Sequence, residues 1–264
     1  MSEDGVFELS PLRYMWATRR FGFVHWLFGG ADYSRAVEYP LTARLLQARR
    51  GERLLDVGSG RRGEFASLAR RAGLEVTAID ERDDVGADAA DRSLTFQRAD
   101  ARKLPFEDAS FDRITAISTI EHIPEGDDLA MAELARVLRP GGRLVVTVPF
   151  NPLKSADLYI RGGVYGREGE RVFFERVYDE DDLERRLIAP SGLRLVERIY
   201  LGEPGVRLSY LYYTPRGLAR RVRHRIPWGP FFSLFAHRFF RPVRADQYEI
   251  DDWSGVAAVL AFEK

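Results

Sequence analysis

The chain has 264 residues, a formal net charge of zero and 45% apolar side chains, enough for one large domain, or one domain with a cap, around a buried core. It contains no cysteine, which excludes disulfides, thiolate metal centres, iron–sulfur clusters and cysteine nucleophiles and suits a cytoplasmic address. No apolar run approaches the ~20 residues that span a bilayer.

Near the start, Arg19-Arg20 precede FGFVHWLFGGA, a loose imitation of a twin-arginine export signal. The apolar segment is short and broken by His25, so an amphipathic helix is the better reading. Residues 1–50 are expected to form an N-terminal helical cap. From Glu52 to Phe150 strands and helices alternate. ERLLDVG reads as a first strand; Phe65, Leu68, Ala69 and Ala72 then share one helical face, and Gly73 stops that helix. LEVTAID is a second strand ending at Asp80, SLTFQRAD a third ending near Asp100, and FDRITAIST a fourth. DDLAMAELARVLR is helical, and GGRLVVTVPF is a fifth strand after Pro140-Gly141-Gly142. Strands spaced by helices predict an α/β, doubly wound parallel sheet with both faces covered. Ligands of such sheets sit at the carboxyl ends of the strands. Asp56, Asp80, Asp100 and Ser118 all fall near such ends.

Beyond Phe150 the pattern changes. Residues 151–178 hold Asn-Pro, Gly162-Gly163 and several aromatics, as expected of a loop or lid. DEDDLERRLIAPSG suits a helix with an acidic first turn, LRLVERIYL a sixth strand, and GVAAVLAFEK a final one. The expected division is therefore a cap over 1–50, a core over 51–150, lid, helix and sixth strand over 151–201, an aromatic and basic cap insertion over 202–254, and the closing strand over 255–264.

The stretch that bears on chemistry is LLDVGSGRRGEF, from Leu54 to Phe65. A strand, a glycine turn and a helix start bring bare backbone N–H groups close to a polar ligand. Gly58-Ser59-Gly60-Arg61-Arg62-Gly63 fits the dinucleotide fingerprint G-x-G-x-x-G, whereas Asp56 argues for a cofactor that offers it donors. A carboxylate at that position in a strand costs several kcal/mol unless it finds donors such as an ammonium group. Asp80 lies where either cofactor places an acid for ribose hydroxyls and does not discriminate.

The downstream segments do. RADARKLPFEDASFDRITAISTIEHI followed by ELARVLRPGGRLVVTVP resembles the class I S-adenosylmethionine-dependent methyltransferases, most closely the small-molecule group that includes the quinone-biosynthesis enzymes. The resemblance covers residues 52–150. It implies a mostly parallel seven-stranded Rossmann-like sheet, the last strand antiparallel, with helical caps, and S-adenosylmethionine as cofactor. It also implies that Gly58, Ser59 and Gly60 approach the methionine part, that Asp56 helps hold its amino group, and that Asp80 grips the ribose hydroxyls. Glu81 would border the adenine, Asp100 accept from its amino group, and the Ala101 N–H reach its ring. Ser118 would offer its carbonyl near the transferred methyl. Each role has a plainer counterpart: Asp56 capping a turn, Asp80 and Asp100 as solvated strand-end acids, the glycines serving tight packing. Two departures stand out. Arg62 occupies a position where the family usually has glycine, so that Arg61 or Arg62 could pair with the cofactor carboxylate, and Glu81 is polar where an apolar residue often covers adenine.

Methyl transfer is an in-line displacement in which the enzyme mainly aligns the reactants, and an oxygen nucleophile gains from a general base. His122, just beyond the fourth strand, is the candidate base, with His25, Tyr14 and Tyr33 behind it; capping a helix or orienting a loop is its structural alternative. No metal-ligand spacing is present. The acceptor is expected to be a hydroxyl, before carbon or nitrogen, of a small or carrier-linked metabolite. Residues 206–244 carry nine arginines and nine aromatics and no acidic residue. Core packing, an interfacial membrane contact serving a lipid-linked acceptor, or a phosphorylated or nucleic-acid acceptor would each use that composition, with nucleic acid the least favoured. A non-catalytic subunit of the same fold, acting through this segment, and a dinucleotide-binding oxidoreductase are the competing functions.

Overall fold

A computed structural model of the chain describes residues 5–19, 34–89, 91–161, 170–204, 235–244 and 256–264. The 20–33 segment, with His25 and Tyr33, and residues 205–234 of the basic aromatic stretch lie outside these. The strands are β1 (Arg53–Val57), β2 (Glu75–Asp80), β3 (Thr95–Arg98), β4 (Phe111–Ile117), β5 (Leu138–Pro149), β6 (Ala156–Arg161), β7 (Arg171–Val177), β8 (Arg194–Gly202), β9 (Arg241–Val243) and β10 (Ala257–Glu263). The longer helices are α1 (Pro11–Thr18), α2 (Arg35–Leu46), α3 (Glu64–Arg71) and α4 (Asp127–Val137). A further helical run passes through Glu180–Asp182, a π turn at Leu183–Ile188, and Ala189–Ser191.

One sheet runs in the order β3-β2-β1-β4-β5-β10-β8-β9. The five strands from β3 to β5 are parallel; β10, β8 and β9 are antiparallel to their neighbours. Strand alternation sorts the apolar side chains into two layers. Leu54, Val145, Val259 and Ala261 face the layer that contains Phe65, Leu68 and Leu46. Leu55, Val57, Leu144, Val146, Leu260 and Phe262 face the layer that contains Met131, Leu134 and Leu183. β4 is buried along its whole length, as expected of a strand covered on both faces. The acids and bases of α3 and α4 follow their helix dipoles: Glu64 opens α3 and Arg70 and Arg71 close it, while Asp127 and Asp128 open α4.

Three expectations are corrected. The 151–178 region is not a plain loop: β6 and β7 pair there as a separate antiparallel hairpin. Its period-2 signal is short and is flanked by the Asn-Pro and Gly-Gly pairs that suggested a loop. Among the described residues the sheet has eight strands rather than seven, because Arg241–Val243 adds to the outer edge of β8. Pro242 has no N–H to donate, so such a segment fits only at an edge. The Arg-Pro-Gly-Gly turn lies inside β5, where the four residues between Leu138 and Arg143 stand against the single residue between Phe111 and Arg113 on β4.

The N-terminal segment is held by aromatic contacts. Phe65 of α3 stands edge-on to Phe7 at 5.9 Å and to Tyr39 at 5.3 Å between ring centroids. Tyr14, one of the alternative bases, is fully buried and edge-on to Tyr39. Phe65→Ala is expected to cost about 3–5 kcal/mol of stability, read as a fall in the urea midpoint at unchanged slope. A loss below about 1 kcal/mol would show that Phe65 does not anchor this packing.

Candidate functional site

The order of the sheet places β2 on one side of β1 and β4 on the other, so the crevice at their carboxyl ends lies where the connections diverge. Asp56 stands one residue before the end of β1 and is buried. Its Oδ1 accepts from Thr115 Oγ1 at 2.8 Å, across the β1–β4 register, and its Oδ2 accepts from Ser59 Oγ at 2.7 Å. Burial pushes its pKa up to about 6 despite those two hydrogen bonds, and the nearby Asp80 adds to the rise.

The glycine loop follows directly. A Cβ on Gly58 would lie 2.1 Å from Thr119 Oγ1, so this glycine lets the loop pack on the end of β4. A Cβ on Gly60 would meet nothing within 4 Å; its backbone borders open space at a positive φ of 62°. The Gly60 N–H donates to Asp80 Oδ2 at 2.9 Å, and the Arg82 N–H donates to Asp80 Oδ1 at 3.0 Å. Each carboxylate oxygen still has a lone pair to offer. Arg61 turns to its own chain: Nε donates to Asp88 at 2.7 Å and Nη1 pairs with Asp84. Arg62 lies 3.5 Å from Glu64. The guanidinium that stands in place of a family glycine therefore lies beside an acid of α3.

Asp100, Asp80 and Ser118 lie at or just past the ends of β3, β2 and β4, with β1 between the last two. Asp100 is half-exposed, two residues past β3, and Arg102 forks onto it with Nε–Oδ1 3.0 Å and Nη2–Oδ2 2.8 Å. These hydrogen bonds hold the Asp100 carboxyl below the usual carboxylate range. Glu81 is exposed, and its carbonyl accepts from Arg98 Nε at 2.9 Å. Ala101 is partly buried. Ser118 follows β4 in the left-handed region, φ 46°, which is uncommon for a residue with a Cβ. Its N–H is pinned by Thr147, 3.0 Å from both the carbonyl and Oγ1. Its Oγ accepts from Arg35 Nη1 of α2 at 2.7 Å, and Arg35 also pairs with the buried Glu38.

A 3-10 turn, Ile120–His122, leads away from β4. Glu121 is buried with no hydrogen-bond partner for its Oε2, and burial pushes its pKa well up. Glu175 of β7, electrostatically coupled to it, is pushed up to about 7 by burial. His122 Nδ1 lies 2.5 Å from the Phe174 carbonyl. Burial lowers its pKa, so the ring is neutral at pH 7. The sequence did not point to Arg35, Glu38 or Glu175 as members of this cluster, since each reaches it from a distant segment. Among the described residues no group of three or more histidines and acids could hold a metal ion.

The region that carries this geometry has relatives. Residues 55–146 match a family model described as a methyltransferase domain. Over 165 residues the chain is 30% identical to the O-methyltransferase rstn1 of Aspergillus nomiae, an alignment covering 58% of this chain and 68% of that one. The chain belongs to the S-adenosylmethionine-dependent methyltransferases. It is also 40% identical over 120 residues to methyltransferase GfsG of Streptomyces halstedii, covering 42% of this chain and spanning only 40% of that relative's length. Among solved structures, the [4+2]-cyclase SpnF superposes with a TM-score of 0.57 at 21% identity, covering 98% of each chain; that likeness shows the fold. In this chain the buried acid, the open glycine turn and the second-strand acid thus share one end of the sheet.

Asp56 makes the stability of the fold depend on pH. Its folded-state pKa of about 6 lies above the ordinary 3.8, so the folded chain binds that proton more tightly than the unfolded one. The contribution is full below about pH 4 and is lost as pH rises through about 6, roughly 3 kcal/mol in all. Asp56→Asn is expected to flatten that interval in urea-unfolding measurements on the ligand-free protein. An unchanged pH slope would show that Asp56 is not the titrating group.

Proposed function

We propose that this protein transfers the methyl group of S-adenosylmethionine to an oxygen of a small or carrier-linked metabolite, with carbon or nitrogen as less favoured acceptors. The observation that carries the reading is the convergence of Asp56, the open Gly60 turn, Asp80 and Ser118 at neighbouring strand ends, next to a neutral His122. The residues present fit the cofactor. The space beside the Gly60 backbone is open to a ligand, and the remaining lone pairs of Asp80 suit two vicinal hydroxyls.

When bound, S-adenosylmethionine supplies an electrophilic methyl on a sulfonium. Asp56 with Ser59 would steady the cofactor amino group, Gly58 and Gly60 would admit its methionine part, and Asp80 would hold the ribose. Asp100, Ala101 and Glu81 would line the adenine end, with Arg102 fixing the Asp100 carboxylate in place. The Ser118 carbonyl would meet the ammonium, and the left-handed backbone there would set its direction. His122 would accept the proton that the acceptor hydroxyl sheds. The O-methyltransferase among the relatives supports oxygen as the acceptor atom. The likeness to a cyclase supports a competing role, a methyltransferase fold put to other use.

In this reading residues 1–50 and 202–254 cap the core, with Arg35 already reaching Ser118 from the first of them. The 206–244 stretch would give a cytoplasmic enzyme peripheral access to a lipid-linked acceptor. Among the described residues no helix is long and apolar enough to cross a membrane. Within the stretch, Ala236 and Phe240 are buried while Phe235 is exposed beneath Arg238, 5.9 Å from its ring, a pairing suited to an interface.

Calorimetry with S-adenosylhomocysteine tests the cofactor assignment. Asp80→Ala is expected to weaken binding about 100-fold, the value of two charge-assisted hydrogen bonds; unchanged affinity would refute the ribose role. No binding by folded wild-type protein would favour the non-catalytic subunit. For the membrane contact, pelleting with vesicles containing anionic lipid is expected at low salt and to fade at high salt, whereas no pelleting at either would leave the stretch as a packing element.

A further inference from the structure

The β6–β7 hairpin lies against the turn that carries His122, and its ladder is interrupted at one residue. Leu158 pairs with Glu175 and the next residue, Tyr159, pairs with Phe173. Phe174 is therefore the extra residue of the bulged strand. A bulge of this kind re-aims the residue it contains. The Phe174 carbonyl meets His122 Nδ1 at 2.5 Å, and the Phe174 ring stands edge-on to the imidazole with centroids 5.3 Å apart. A carbonyl only accepts, so Nδ1 carries the hydrogen and the neutral ring keeps its lone pair on Nε2.

Two residues later Arg176 ties the bulge down. Its Nε and Nη2 fork onto Asp157 of β6 at 2.8 and 3.1 Å, its Nη1 reaches Asp127 at 3.0 Å, and Nη2 donates to the Pro124 carbonyl at 3.2 Å. Asp127, fully buried at the start of α4, also accepts from Arg186 Nε at 2.8 Å and Tyr178 OH at 2.9 Å. One charged knot thus joins both hairpin strands, the chain just after His122, and α4.

We propose that the β6–β7 hairpin is the orienting element for His122: the Phe174 bulge fixes the Nδ1–H tautomer, leaving Nε2 as the basic nitrogen, and the Arg176 fork to Asp157 and Asp127 holds the bulge in register. This rests on the reading of His122 as the proton acceptor. Phe174, Arg176, Asp157 and Asp127 act through His122 and are positioning residues. The hairpin also contributes to the burial that keeps the ring neutral. Charged groups around it are Arg35 of α2 and Asp80 of β2, with Glu121 in the same turn and Glu175 on β7.

The test needs no acceptor. In the nitrogen-15-labelled full chain, His122 is assigned by comparison with His122→Gln, and the tautomer is read from the ring-nitrogen shifts at about pH 8, where the ring is neutral. Nδ1 is expected to be protonated and Nε2 unprotonated; the reverse overturns the proposal. Asp157 is half-exposed, so Asp157→Asn loosens the fork without leaving a fully buried charge alone. In that variant the other tautomer is expected at roughly a tenth of the population or more, and the ring is expected to titrate closer to the ordinary value. Asp157→Glu should restore the wild-type pattern. Arg176→Lys, which keeps the charge and removes the fork, supplies the same readout if Asp157→Asn fails to fold. An unchanged tautomer and titration in the folded variants would overturn the orienting role. A chain that shows this tautomer yet transfers no methyl group would count against the catalytic reading and leave the hairpin's role standing.

Discussion

Five parallel strands covered on both faces leave a polar ligand one kind of place to bind. The faces of the sheet are filled by two apolar layers, one built on α2 and α3 and the other on α4 and the Glu180–Ser191 run. Only the strand ends open to polar groups, and β1 lies between β2 and β4 at the point where the connections part. Asp56, Gly60, Asp80, Asp100 and Ser118 are near one another because each sits at or just past the end of one of these strands. The site is therefore a consequence of strand order before it is a matter of any single residue.

That end of the sheet departs from what would be most stable. Asp56 is an acid placed in the buried part of a strand, with two hydroxyl donors and a raised pKa. Ser118 adopts a backbone conformation that residues with a Cβ rarely take. Glu121 leaves a buried oxygen without a hydrogen-bond partner. Polar burial of this kind is disfavoured unless a partner arrives, and strain of this kind gathers at functional sites. Asp127 is buried too, but Arg176, Arg186 and Tyr178 all donate to it. That acid ties α4 to β7 and to the helical run after it, a structural task.

Much of the core was legible in the sequence because its signals are local. The alternation of strand and helix from Glu52 to Phe150, the glycine turn and the acids at strand ends all appear within short windows, and all five parallel strands form, β5 starting earlier than expected. The hairpin was not legible, since six- and seven-residue strands flanked by Asn-Pro and Gly-Gly resemble a loop. β9 was not legible either, because three residues carry no period. At the candidate site, the strand-end positions of Asp56, Asp80 and Ser118 were readable, but their surroundings were not. Arg35 meets Ser118 across 83 residues and His122 meets Phe174 across 52.

The sequence by itself determined the class of fold, the family resemblance and the identity of the strand-end acids. Those depend on hydrophobic period and on residues adjacent to glycine, both properties of neighbouring positions. The tertiary structure decided what depends on long-range approach. It showed that Arg61 is bound to Asp84 and Asp88, that Tyr14 is buried in the core, and that Asp56 and Glu121 bear raised pKa values. It also showed that the His122 ring is held by the backbone of a separate hairpin. Burial and contact across the chain set pKa, tautomer and strain, and no local window of sequence contains them.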